Sequence, residues 1–199
     1  MAAVLPPVAV PALERLAQLS ILNIKQTSTG YYGSSFVVFG QGDEVVLTMK
    51  EVVANETFRS PRRPFQFDGM DNTGRKLFAF RRPAESILIS DKVELFMDDG
   101  LASVIHMAPT FLTPIFNIND GLDNPIMRLK GQMTDVNYFQ LQTKEKTGIG
   151  AVQRTHPSGE NFVLRDNYLI SVPVDLAIPF KIAVIVACVY IDFKFHEGK

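Results

Sequence analysis

The chain has 199 residues, enough for one domain that buries a core without disulfides. Hydrophobic residues make up 46% and charged residues 21%, which excludes wholesale disorder, collagen-like repeats and a polytopic membrane protein. The net charge of −1 argues against a strongly basic nucleic-acid-binding domain, and the single cysteine, Cys188, excludes a disulfide framework and an all-cysteine metal site.

The first stretch, MAAVLPPVAVPALERL, has no positive charge ahead of its apolar residues, and Pro6, Pro7 and Pro11 interrupt them. It lacks the marks of a secretory signal; Ala2 replaces a myristoylation glycine, and FHEGK is no prenylation box. Residues 1–10 are expected to form a short flexible segment and 11–199 a single domain. Ala12 to Leu19 sets Leu13, Leu16 and Leu19 at helical spacing behind Pro11, which predicts one short amphipathic helix.

A rhythm of β-rich runs and turn signals follows. Leu19 to Lys25 alternates. Ser35 to Phe39 leads through Gln41-Gly42-Asp43 to Glu44–Met49, and Pro64 to Phe67 through Asp71-Asn72-Thr73-Gly74 to Lys76–Phe80. Val93 to Phe96 leads through Asp98-Asp99-Gly100 to Leu101–His106, and Pro114 to Ile118 through Asn119-Asp120-Gly121 to Ile126–Leu129. Val136 to Gln142 and Ile149 to Arg154 flank Lys144-Glu145-Lys146-Thr147, and Phe162 to Val172 closes the series. Asp-Gly and Asn-x-Gly between β-branched and aromatic runs are hairpin chemistry, because these residues tolerate positive φ. About a dozen short strands at this spacing predict an antiparallel barrel or sandwich.

Ile182 to Ile191, IAVIVACVYI, is an unbroken apolar run. A membrane-spanning helix needs about 17–25 such residues. Extending the run back to Val172 takes in Pro173, Asp175, Pro179 and Lys181, and Asp192 and Lys194 follow it. Central charges cost roughly 2.5–3.5 kcal/mol each, which weighs against spanning. A buried strand and a buried helix both remain open on pattern alone.

PALERLAQLSILNIKQ, SPRRPFQFDGMDNTGRKLFAFRRP and DNYLISVPVDLAIPFKIAVIVACVYIDFKF resemble the phospholipid scramblase family, over about residues 11–196. The resemblance implies a tubby-like fold: a closed antiparallel barrel of about twelve strands around a buried apolar C-terminal helix. Ile182, Val184, Ile185, Val186, Val189 and Ile191 are then the core of that helix. It also implies calcium-stimulated, ATP-independent, bidirectional movement of phospholipids, at the cytosolic face of the plasma membrane and by peripheral attachment. The alternative is a phosphoinositide- or anionic-lipid-binding adaptor without transport. Partners would be the phospholipid membrane and a second copy or a membrane protein; no nucleic acid is expected.

The family's calcium loop corresponds here to Leu164–Asp175, with Asp166 and Asp175 as the candidate ligands. Leu164, Tyr168, Ile170 and Val172 occupy the other ligand positions, so calcium binding is expected to be weak or lost. The cysteine cluster that carries acyl chains in animal members has no counterpart at Ala84–Asp91. The densest basic region, Arg59 with Arg62, Arg63, Arg75, Lys76, Arg81 and Arg82, is the candidate lipid-headgroup site. Neighbours in it leave a strand on opposite faces, so about half can share one surface. Ion pairing to Asp71 or Glu85 is the competing reading. The turn Asn119–Asn124 is read as a hairpin rather than an ion site, and His106, His156 and His196 have no ligand spacing for zinc.

Overall fold

A computed structural model describes residues 11–28, 33–52, 63–84, 91–110, 112–155 and 167–196. Helix α1, Ala12–Gln18, leads into twelve strands and a final helix. The strands are β1 Ile21–Ser28, β2 Ser35–Phe39, β3 Val45–Glu51, β4 Phe65–Met70, β5 Lys76–Arg82 and β6 Lys92–Met97. They continue as β7 Gly100–Met107, β8 Ile115–Asp120, β9 Pro125–Gly131, β10 Tyr138–Thr143, β11 Gly148–Thr155 and β12 Asn167–Ser171. Helix α2 is Ile178–Phe195.

Every strand pairs antiparallel with its neighbours in sequence, and β1 pairs with β12 (Ile21 opposite Ser171, Lys25 opposite Asn167), which closes the barrel. Closure leaves no free sheet edge to template aggregation. The hairpins form where local chemistry asks for them. Asp98 and Asp99 both adopt positive φ, 48° and 62°, as a two-residue primed turn requires. Gly74 ends the β4–β5 turn at φ 86°. Asp71 Oδ1 accepts hydrogen bonds there from the backbone N–H groups of Thr73 and Arg75.

Because the strands run up and down, the short turns β2–β3, β4–β5, β6–β7, β8–β9 and β10–β11 gather at one rim. The β9–β10 connection and the described ends of the others lie at the opposite rim. Alternate residues face inward; in β4, Phe65, Phe67 and Gly69 are buried while Gln66 is exposed. Gly69 stands opposite Phe78, whose ring occupies the space a Cβ would need.

The apolar run is a helix. Lys181 to Phe193 are all buried, including the six core residues expected. Aromatic contacts surround α2: Phe193 meets Phe65 and Phe67 of β4, Tyr190 meets Phe116 of β8, and Phe195 meets Phe139 of β10. A helix touched from well-separated walls and wet on no face lies inside the barrel. It enters at the hairpin rim, where β12 ends, and leaves at the opposite rim.

Candidate functional site

The interior is a filled core, and polar groups hold α2 at its two ends. At the hairpin rim, the buried Lys181 ammonium donates to the carbonyls of Leu16 (3.2 Å), Ala17 (2.7 Å), Leu19 (2.8 Å) and Val174 (2.9 Å). Carbonyls at a helix C-terminus have no partner within the helix and attract a cation. Gln18 and Leu19 supply no glycine cap, and Lys181 from the distant α2 takes that role. Burial pulls the lysine below its usual pKa, and the charge of Asp175 acts against that fall.

At the opposite rim a polar collar surrounds the end of α2. Asp192, buried, accepts a 2.7 Å hydrogen bond from the Tyr168 hydroxyl of β12. Asp91, just before β6, receives Arg82 of β5 through Nε (2.8 Å) and Nη2 (2.7 Å), and Lys194 of α2 through Nζ (2.7 Å). Burial works against ionisation of Asp91. The hydrogen bond from Lys194 and the charges of Arg82 and Lys194 outweigh it and hold the carboxyl below its ordinary value. The Tyr190 phenol is pushed far upward, by burial first and by the neighbouring Asp91 carboxylate second.

Beside this, Arg63 donates to Glu51 through Nη1 and Nη2, and Ser34 N donates to Glu51 Oε2 at 2.8 Å. The two arginines also cover aromatic positions of α2: Arg63 lies 4.7 Å from the Phe193 ring centre and Arg82 5.6 Å from that of Tyr190. The wall therefore grips the last turns of the helix with two charged, stacked side chains.

This relocates part of the basic region. Arg63 and Arg82, offered above as headgroup ligands, are 8% and 1% exposed and point into the collar. Burying a guanidinium requires a carboxylate partner, and Glu51 and Asp91 supply them. Arg75 (to Asp71, 3.4 Å), Lys76 (to Asp68, 2.7 Å) and Arg81 (to Glu94, 2.9 Å) stay at the surface in ion pairs. Arg62 and Arg59 lie outside the described residues, as does Glu85. The structure does not bring the described members onto one face.

Of the predicted calcium loop, Asp166 lies outside the described residues. Asn167–Ser171 is a strand paired on both sides, and Tyr168, Ile170 and Val172 are buried. Asp175 lies in the turn ahead of α2. A strand with its backbone groups in ladders and apolar side chains turned inward does not fit an ion-wrapping loop. In Asn119–Asn124 the carboxylates serve the turn: Asp120 Oδ1 accepts from Leu122 N and Asn124 N, and Asp123 Oδ1 meets Asn119 Nδ2 and His106 Nε2. Among the described residues no cluster of three His, Cys, Asp or Glu side chains could hold a metal ion. No helix among them is long and apolar enough to cross a membrane.

Sequence reasoning missed Lys181, Asp192, Tyr168, Asp91 and Glu51 as functional residues. The signal for two of them was present: Lys181 and Asp192 flank the apolar run about three turns apart, and so share a helix face.

Fold and site together define a closed β-barrel filled by its own latched C-terminal helix. Residues 35–198 match the sequence model of the Scramblase family, and the chain belongs to that family. It is 28% identical to human phospholipid scramblase family member 5 over 97% of this chain and 80% of that protein. It is 26% identical to bovine phospholipid scramblase 2 and 26% identical to human phospholipid scramblase 1, over 69% of this chain in each case. Those alignments span 52% and 48% of the two relatives, about half their length. No solved structure matches the chain significantly.

Proposed function

We propose that this protein moves phospholipids between bilayer leaflets, in both directions and without ATP, from a peripheral position on the cytosolic face of the plasma membrane. The observation that carries this reading is the family match over residues 35–198. It supports a translocator rather than a group-transfer enzyme, with the phospholipid membrane as its partner. Calcium acts weakly at most in this reading, because Asn167–Ser171 within Leu164–Asp175 is a paired strand that turns Tyr168 and Ile170 into the core.

The filled interior constrains the mechanism. A headgroup needs a wet or polar route through hydrocarbon. With α2 in place the barrel interior holds packed apolar side chains. A route must therefore come from withdrawal of α2, from a second copy, or from a membrane-protein partner. The same observation favours a second reading, an anionic-lipid or phosphoinositide-binding adaptor without transport.

Reconstitution into vesicles carrying a dithionite-quenchable fluorescent lipid separates the two, run with and without calcium. Loss of the protected inner-leaflet signal is the expected result. Vesicle binding without that loss would leave the adaptor reading.

A further inference from the structure

The two rims of the barrel differ in charge. In its five turns the hairpin rim carries eight carboxylates, from Asp43 to Glu145, against three cations, Arg75, Lys144 and Lys146. At the opposite rim the described carboxylates Glu51 and Asp91 are neutralised by Arg63 and by Arg82 with Lys194, and Asp192 is buried against the Tyr168 hydroxyl. Asp135 remains there, its Oδ1 accepting from Asn137 N at 2.8 Å. Lys50 and Lys130, near the ends of β3 and β9, are exposed at that rim.

Apolar side chains also stand out from this rim. Leu112 is 69% and Met133 64% exposed. The β8–β9 ladder runs past the Ile115–Lys130 pair to a hydrogen bond from Gly131 N to Pro114 O, 2.9 Å. Leu112 and Met133 each lie two residues beyond that bond on neighbouring chain segments. Exposure alone does not single them out, since Leu122 at the hairpin rim is 86% exposed. Charge does: Leu122 sits between Asp120 and Asp123, which hydrogen bonds from Asn124 and Asn119 hold ionised.

We propose that the rim bearing Leu112 and Met133 docks on an anionic phospholipid surface. These two side chains enter the boundary between headgroups and acyl chains, while Lys50 and Lys130 meet the lipid anions. The acidic hairpin rim, repelled by the same charge, faces away. The orientation turns the C-terminal end of α2 and its arginine collar toward the bilayer. It rests on the lipid reading above and adds to it which face meets the membrane.

Flotation with phosphatidylcholine vesicles, with and without phosphatidylserine, tests it on the full chain. Leu112→Asp combined with Met133→Asp should weaken binding to phosphatidylserine vesicles by about tenfold or more, at unchanged melting temperature. Lys130→Glu should weaken it about fivefold. Leu122→Asp should leave binding unchanged. The proposal is overturned if wild type binds and the double variant binds equally well, or if Leu122→Asp is the one that weakens binding. It is also overturned if the double variant only converts a dimer to a monomer in sedimentation, which would make the patch a self-association surface. Failure of wild type to bind either vesicle would sink the lipid reading itself.

Discussion

The Tyr168 hydroxyl on the last strand donates to the buried carboxylate of Asp192, 24 residues further along, near the end of the helix that fills the barrel. The bond ties the wall that closes the sheet to the element enclosed by it. Tyr168→Phe removes this donor with little change of shape. The expected cost is about 1–3 kcal/mol, the range for a buried acceptor deprived of a partner. Urea unfolding measures it; an unchanged midpoint would show that the bond adds nothing to stability.

Lys181 joins α1 to α2 through four carbonyl contacts. Lys181→Met keeps most of the side-chain volume and leaves those carbonyls without their donor. A loss of about 1–3 kcal/mol is expected, the range for buried acceptors left without a donor. Amide hydrogen exchange should show Ala12–Gln18 losing protection more than the strands. Equal loss everywhere would mean that the lysine does not specifically dock α1.

Asp91 gives a pH dependence of defined sign. Its carboxyl is held below the ordinary value of 3.8, so its contribution to stability is present above that pH and fades as pH falls through the lower folded value. Wild type should exceed Asp91→Asn most at neutral pH, and the gap should shrink below pH 3.8. A gap that stays constant down to acid unfolding would detach the collar from the ionisation of Asp91.

Calcium at millimolar concentration is expected to leave the melting temperature unchanged. The reason is the core-facing strand between Asp166 and Asp175. A rise in melting temperature that disappears in Asp166→Ala or Asp175→Ala would restore the loop as an ion site.

The hairpins were legible because their chemistry is local. Asp98-Asp99-Gly100 and Asp71-Asn72-Thr73-Gly74 state a turn within four residues, and the alternation on either side states which positions face inward. The opposite faces of Arg81 and Arg82 were legible for the same reason; the choice of Arg82 as the inward one was not, because its partner Asp91 arrives through the β5–β6 pairing.

Composition and local pattern by themselves determined a β-rich fold, its turns and an apolar segment flanked by charges. Whether Ile182–Ile191 was strand or helix could not be read from pattern, since a segment buried on all sides carries no periodic wet face. Only the closed sheet decided that it is an enclosed helix. Only that enclosure brings Lys181, Asp192 and Lys194 within reach of the carbonyls, hydroxyl and carboxylate that make their burial affordable.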